Sequence, residues 1–135
     1  MNIITVSRDR TIRLWDVETF DEVYEFSSPV DQPLCIAAHP RSARFACGFE
    51  SGKMRIFDID DTEVVDEFSQ FNKALKSLRY DNSGKLLVAC CVDGSVSIHN
   101  AAREHLPIKM MHLEMPPEFV HVAFTNATVG ADDAQ

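Results

Sequence analysis

The sequence SRDRTIRLWD, residues 7–16, opens with a short polar run and ends in the pair Trp15-Asp16. Within it, Ile12 and Leu14 alternate with other side chains at every second position. An alternation of period two predicts a β-strand that is buried on one face, and the polar run before it is typical of a turn. The pair Trp15-Asp16 then marks either a chemical site or a position in a repeated architecture.

The same pattern recurs along the chain at a fixed interval of 42 residues. At this interval LCIAAHPRSARFACGFESGKMRIFDI aligns with KSLRYDNSGKLLVACCVDGSVSIHNA without a gap. Two sets of positions follow this interval. The first set is Trp15-Asp16, Phe57-Asp58 and His99-Asn100, and the second set is Phe26, Phe68 and Met110. A fixed spacing of this size is typical of repeat architectures. The Trp-Asp pair is therefore interpreted as a repeat position.

Short alternating runs within each repeat are separated by turn residues. Ser51-Gly52 and Asp93-Gly94 lie between apolar runs, where a glycine that accepts positive φ is a strong hairpin signal. No stretch has the sustained 3.6-residue period of a helix. The sequence therefore predicts an all-β fold with strands at residues 2–6, 11–16, 22–26, 33–39, 43–48, 53–58, 62–68, 74–80, 86–91, 95–100, 107–113 and 118–124.

Composition is that of a single globular domain. Of the 135 residues, 45% are hydrophobic and 25% are charged. The formal net charge of -8 argues against a nucleic-acid binder and against attraction to an anionic membrane, because both need a basic surface. No apolar run reaches the roughly 18 residues that span a bilayer, and the N-terminus lacks the pattern of a secretory signal. We expect a cytoplasmic protein without nucleic-acid or membrane partners.

Sequence patterns for catalysis, cofactors or metals are weak. The four cysteines have no C-x-x-C spacing and the histidines fit no zinc pattern, so reduced thiols and scattered histidines are favoured over a zinc or redox site. The run NSGKLL, residues 82–87, resembles the end of a phosphate-binding loop, but Arg79 stands at the first glycine position and Leu86 follows Lys85. We predict that the chain is not an enzyme and holds no cofactor or metal.

A unit of about 42 residues with four strands and a terminal Trp-Asp pair resembles the WD-repeat β-propeller family. The resemblance covers residues 1–126 and is strongest in ITVSRDRTIRLWDVET, residues 4–19. It implies a partial propeller of about three four-stranded antiparallel blades. The expected units are a blade part at residues 1–26, blades at 27–68 and 69–113, a leading strand at 118–124 and a disordered tail at 127–135.

The resemblance also implies roles for the repeat positions. An intact WD blade carries a hydrogen-bonded set of Trp, Ser or Thr, Asp, and a His from a Gly-His pair. The structural repeat positions are Ser7, Asp9, Trp15 and Asp16 in the first unit, Phe57 and Asp58 in the second, and Asp93 and His99 in the third, where Phe57 and His99 replace the tryptophan. Among the replacements are Phe49 and Ser51 in the second unit and Cys91 in the third. Since neither later unit has a Gly-His pair, we expect both to depend on apolar packing and not on a polar network.

Partners of WD propellers usually dock at one rim, formed by the loops between second and third strands and by the loops that enter each blade. The resemblance places five residues at this rim: Arg8, Arg10, Phe49, Glu50 and Val92. Arg8 and Phe49 are the preferred contacts, because exposed arginine and aromatic side chains dominate interface energies. The alternative is that all five are ordinary turn residues.

A non-catalytic protein–protein interaction scaffold is the function that the resemblance implies. Residues 5–29 are most similar to a large member of the family associated with centrioles and cilia. That similarity implies a cytoskeletal scaffold at the centriole or cilium, with tubulin, microtubules or centriolar proteins as partners. Two alternatives stay open: a permanent structural component of a large assembly, and a subunit adaptor in another cytosolic complex.

Three blades are fewer than the four to eight with which propellers usually close. We therefore expect a piece of a longer propeller, whose remaining blades would cover the exposed faces, and self-association of two copies is the alternative. Acidic residues lie on and before the outermost strands, in DVETFDEVYEF and DIDDTEVVDEF. We expect them to discourage pairing with stray strands, and a contact surface for a basic partner is the alternative.

Overall fold

The alternating runs of the sequence become eleven β-strands in the computed structural model, which describes residues 1–27 and 31–113. Over this range the chain forms no helix, and so none that could cross a membrane. The predicted strand at 118–124 and the predicted tail at 127–135 lie outside the described residues. The strands are β1 (Asn2–Val6), β2 (Thr11–Asp16), β3 (Glu22–Ser27), β4 (Pro33–Ala38), β5 (Arg44–Phe49), β6 (Met54–Asp58), β7 (Glu63–Phe68), β8 (Leu75–Tyr80), β9 (Leu86–Cys91), β10 (Ser95–Asn100) and β11 (Leu106–His112).

Three antiparallel sheets contain these strands in chain order. The first sheet is β1-β2-β3, the second is β4-β5-β6-β7, and the third is β8-β9-β10-β11. The all-β prediction is confirmed, and each predicted strand in the described range is found to within one residue at either end. The limits of the blade units at residues 1–26, 27–68 and 69–113 remain a proposal.

The second strand of each four-stranded sheet is buried on both faces. β5 has the sequence RFACGF and β9 has LLVACC, and five of the six residues in β5 are fully or almost fully buried. A continuous apolar run of this length is typical of a strand that lies between two layers. The sheets therefore stack side by side, and each inner strand is covered on both sides.

Two apolar clusters join the stacked sheets. One lies between the first and second sheets and contains Ile12, Phe26, Phe45 and Phe57. The other lies between the second and third sheets and is built from both, with Met54 among its fully buried residues. Burial of each large apolar side chain contributes roughly 1.5–3 kcal/mol, so these clusters supply most of the cohesion between sheets.

Two close approaches between the second and third sheets require glycine. A β-carbon on Gly48 would lie 2.7 Å from the Leu75 β-carbon and 2.8 Å from the Cys35 sulfur. A β-carbon on Gly84, where φ is +76°, would lie 2.4 Å from the His39 ring. His39 Nδ1 accepts from two backbone N–H groups, so its Nε2–H donates to the Gly84 carbonyl at 2.9 Å. The inter-sheet distance thus depends on these two positions.

The outer strand of the third sheet departs from the 42-residue interval. Ile12, Met54 and Val96 lie 42 residues apart on the adjacent strands. Ile12 pairs with Phe26 and Met54 pairs with Phe68, but Val96 pairs with Met111. The predicted equivalence of Met110 with Phe26 and Phe68 is therefore wrong by one residue. The reason is one additional residue in the connection between β10 and β11, where Glu104 and His105 both adopt positive φ.

We expect the aromatic cluster between the first two sheets to dominate stability. Phe45 is fully buried and its ring is stacked on Phe57 at a centroid distance of 4.8 Å. Replacement Phe45→Ala should lower the free energy of unfolding by about 4 kcal/mol, through lost burial and the cavity that remains. Phe20→Ala is the control, because Phe20 is 82% exposed. Urea unfolding followed by circular dichroism measures both, and equal effects of the two variants would contradict the assignment of the core.

Candidate partner-binding rim and the repeat positions

A single oxygen acceptor shapes one turn in each unit, namely the turn between β1 and β2, between β5 and β6, or between β9 and β10. This oxygen accepts the backbone N–H of the residue two positions later. The pairs are Asp9 with Thr11 at 3.1 Å, Ser51 with Lys53 at 3.3 Å, and Asp93 with Ser95 at 2.8 Å. The Thr11 hydroxyl also donates to Asp9 and lowers the pKa of that carboxyl. These positions shape turns, as the repeat predicted.

The second residue of each Trp-Asp pair caps the next turn. Asp16 accepts the N–H groups of Glu18 and Thr19, at 2.7 and 3.1 Å. Asp58 accepts from Asp61 at 3.0 Å, and Asn100 accepts from Ala102 at 3.1 Å. A short side chain with an acceptor oxygen serves this purpose whether it is Asp or Asn. The aspartate of the pair is thus a structural residue.

The hydroxyl partner of Trp15 is Thr5. The indole Nε1–H of Trp15 donates to Thr5 Oγ at 2.9 Å, so the expected pairing with Ser7 is wrong. The register explains the choice, because Ile3 lies opposite Trp15 and places Thr5 two residues along on the same face. Ser7 lies beyond the strand end, where it accepts the Asp9 N–H at 3.4 Å.

The second unit combines apolar packing with one polar pair. Phe57 packs on Phe45 and Phe26, as expected for a residue that replaces tryptophan. In addition, Asp31 accepts from the Ser51 hydroxyl at 2.6 Å and from the Ser51 N–H at 3.2 Å. Asp31 is 9% exposed, and it lies in the loop that enters the blade. The hydrogen bonds from Ser51 to Asp31 therefore join the turn between β5 and β6 to the loop that enters the blade.

The third unit contains a buried polar network, which contradicts the expectation that it depends on apolar packing alone. His99 Nδ1–H donates to the His105 carbonyl at 2.9 Å, so its Nε2 acts as an acceptor. That nitrogen lies 2.8 Å from both Gln70 Nε2 and Ser97 Oγ. Gln70 occupies the loop that enters the blade and bridges it to β10. Burial lowers the pKa of His99.

His105 extends this network towards the neighbouring sheet. Its Nε2 lies 2.8 Å from the Tyr80 hydroxyl oxygen. The ring of Tyr80 contacts the rings of both His105 and His39 edge to face. His105 is 1% exposed and its Nδ1 lacks a partner among the described residues. Burial lowers the pKa of His105 to about 4. The β10–β11 connection thus contains a buried histidine with a lowered pKa.

The candidate rim contains a groove between the first and second sheets. Its volume is about 560 Å³, and its lining includes Arg8 on one wall, Glu50 on the other and Leu34. Gln32 Nε2 donates to the Ser7 carbonyl at 2.7 Å and ties the two walls together. A smaller recess, which Arg10 lines, continues the groove and shares Gln32 and Glu50 with it. Arg8 and Glu50 thus bring opposite charges to one partly apolar cleft.

The other two predicted rim residues differ from each other in the structure. Phe49 is fully buried in the cluster between the first two sheets, with the Arg55 guanidinium 5.0 Å from its ring centre. The prediction of Phe49 as an exposed contact is therefore wrong. It is the last residue of β5 and continues the buried run of that strand. Val92 is 40% exposed at the turn after β9.

Sequence reasoning missed Thr5, Asp31, Gln32 and Gln70. Thr5 could have been found from the hairpin register, because the turn at Asp9 sets which residue lies diagonal to Trp15. The other three lie in loops that enter blades, and they follow no common interval in the sequence. Their partners are set by the packing of one sheet on the next.

Comparison with known proteins identifies the family. A family model described as the second β-propeller of WDR90/POC16 matches residues 1–132. The chain belongs to this family. WD repeat-containing protein 90 of Xenopus tropicalis is 39% identical over 98 residues, which are 73% of this chain and 5% of that protein. The large family member to which residues 5–29 are similar is WD repeat-containing protein 90, and this resemblance is confirmed.

Other relatives agree with the WDR90/POC16 assignment. Centriole proteome protein 16 of Chlamydomonas reinhardtii is 31% identical over 73 residues, 54% of this chain and 4% of that protein. The chain thus spans about a twentieth of the length of these two relatives. Among solved structures, that of U3-55K matches with a TM-score of 0.79 at 19% identity, over 85% of this chain and 37% of the other. That likeness shows the WD-propeller fold.

We expect Thr5, and not Ser7, to support Trp15 in this WDR90/POC16 propeller. Thr5→Val removes the acceptor of the indole N–H and should lower the free energy of unfolding by about 1 kcal/mol. Ser7→Ala should cost less than about 0.5 kcal/mol. Trp15 is the single tryptophan, so its fluorescence during urea unfolding reports on this site directly. A larger cost for Ser7→Ala would restore the original pairing.

We also expect acid to destabilise the third unit. The folded state keeps His105 neutral down to about pH 4, whereas the unfolded chain binds this proton near pH 6.5. Protons therefore favour unfolding between these values, and stability falls as pH drops. From pH 7 to pH 5 the loss should be about 2 kcal/mol, and His105→Gln should remove most of it. His112→Gln, at an exposed histidine, is the control. An unchanged slope in His105→Gln would contradict the assignment.

Proposed function

We propose that this WDR90/POC16 propeller segment is a non-catalytic scaffold that binds other proteins at the groove between its first and second sheets. The observation that carries the proposal is the groove itself. Arg8 and Glu50 form opposite walls, and Leu34, which is 43% exposed, adds an apolar contact between them. Interfaces combine such exposed arginines with a partly apolar centre. The Gln32 bridge keeps the walls at a fixed separation, so a partner meets a preformed surface.

Reactive side chains in the described part of the chain serve packing. Burial raises the pKa of the Cys35 thiol to about 12, and it raises the pKa of Cys47 further, so neither forms a nucleophilic thiolate near neutral pH. His99 and His105 are buried and bonded within the fold. These arrangements support a binding role over catalysis.

The proposed setting is a microtubule- or centriole-associated assembly in the cytoplasm. It is supported by the family and by the name of Centriole proteome protein 16, of which this chain covers a small part. Tubulin, microtubules and centriolar proteins are the proposed partners. We propose no nucleic-acid or membrane partner and no cofactor.

We further propose that another blade covers the exposed face of the first sheet. On that face Ile3 is 53% exposed and Phe20 is 82% exposed, and together with Trp15 they line an apolar cleft of about 320 Å³. In the second sheet the corresponding face is covered by Ile12 and Phe26. The repeat therefore supports an equivalent neighbour for the first sheet.

We expect charge reversal at the groove to weaken partner binding. With this chain as bait, crosslinking in an extract of ciliated cells should recover tubulin or centriolar proteins, and Arg8→Glu should reduce recovery about fivefold. Arg41→Glu is the matched control, because Arg41 is exposed at the opposite end of β5. Equal recovery by Arg8→Glu and the parent chain would reject the groove. Recovery of an unrelated cytosolic complex alone would favour the adaptor alternative.

A further inference from the structure

The outer strand of the third sheet has lost the acidic character of its counterpart in the second sheet. Pairing with the neighbouring strand defines which residues correspond. Where β7 has an acidic residue, β11 has an apolar or basic one. The corresponding pairs are Glu63 and Leu106, Asp66 and Lys109, and Glu67 and Met110. Because β11 is shifted by one residue, Leu106, Lys109 and Met110 occupy the positions that Glu63, Asp66 and Glu67 have in β7.

All seven residues of β11 are exposed, and the strand is the terminal one of its sheet. Leu106 is 52% exposed, Ile108 57% and Met110 48%. Leu106 pairs with Asn100 and Met110 pairs with Ser97, which point to opposite faces of β10, so Leu106 and Met110 lie on opposite faces of β11. The apolar strip is therefore the pair Ile108 and Met110, from the bulged position onward. Edge strands are usually protected by charges, as in β7, because their free backbone groups can pair with another strand.

The loop that leads into β11 holds this strip in place. Glu104 and His105 adopt φ values of 56° and 55°, a conformation that L-residues rarely take. Such outliers persist where the surrounding structure over-determines them. The contact of His105 with Tyr80 supplies that restraint. Beside it, Ala102, Arg103, Glu104 and Leu106 line a cleft of about 300 Å³ at the start of β11.

Charge complements the apolar strip. On the outer strands of the first two sheets, Glu25 and Glu67 each bind an arginine of the adjacent strand at 3.2 Å. At the third sheet the pairing changes: Met110 lies opposite Ser97, and Lys109 lies opposite Ile98. The basic side chains Lys109 and Arg103 outnumber the single carboxylate, Glu104, so this edge carries a slight positive charge on a chain of net charge -8.

We propose that β11 and the loop before it bind an extended segment of another protein that alternates acidic and apolar residues. The segment adds as a strand along Ile108–His112, with its apolar side chains on Ile108 and Met110 and a carboxylate near Lys109. Strand addition at a sheet edge gives affinity through the backbone, while the side chains give specificity. Pro107 lacks an N–H and limits pairing to the residues after it. This surface is separate from the groove at Arg8 and Glu50.

The test uses the whole 135-residue chain, labelled with ¹⁵N, and synthetic peptides. The probe is the acidic peptide EVEVDVEV, compared with the basic peptide KVKVKVKV and with EVEPDPEV, in which prolines block strand pairing. We expect amide shifts from the acidic peptide within residues 106–112 and little effect from the other two. Lys109→Glu and Met110→Glu should weaken binding about fivefold, and Lys109→Gln should weaken it less.

Val23→Glu is the matched control, because Val23 is 54% exposed on the outer strand of the first sheet and has the same bulged position as Ile108. It should leave binding unchanged. No shifts in β11, equal shifts with the basic peptide, or equal loss in Val23→Glu would overturn the proposal. Sedimentation of the chain alone gives a further outcome: a dimer that Lys109→Glu dissolves would show a second copy to be the occupant and would also overturn it. Circular dichroism confirms that each variant is folded.

Discussion

The stacking of one sheet on the next through buried central strands is the constraint on which this structure depends. β5 is covered by the first sheet on one face and by the third sheet on the other, so its side chains belong to two clusters at once. Gly48 and Gly84 permit the second and third sheets to approach closely, because a β-carbon at either position would overlap with the neighbouring sheet. Each unit buries apolar side chains against its neighbours, as is usual for repeat proteins.

Polar side chains divide into two groups within this frame. The first group shapes turns and follows the repeat, as Asp9 and Asp16 do with their backbone N–H partners. The second group joins an entering loop to the blade, and its chemistry changes from unit to unit. Asp31 bonds Ser51 in the second unit, and Gln70 bonds His99 in the third. The loop-to-blade connection is retained while the residues that make it are replaced.

The two proposed binding surfaces lie where the units differ from one another. The groove at Arg8 and Glu50 exists because two loops from successive sheets meet, and its opposite charges come from different units. The strip along β11 exists because one additional residue shifts the outer strand. In a scaffold of repeated units, such local departures are what can distinguish one surface from another. The WDR90/POC16 family membership supplies the setting in which both surfaces are proposed to act.

Period, turn chemistry and apolar alternation were sufficient to determine the strands, their order and the all-β class, since these are local properties of the chain. They also identified the turn roles of Asp9 and Asp93 and the structural role of Trp15. The hairpin register also specifies the bond of Trp15 to Thr5. Tertiary structure alone decided that Phe49 is buried and that His105 lies against Tyr80. Those outcomes depend on strand register and on which sheet covers which face, and a side chain's local sequence does not specify the neighbour that packs against it.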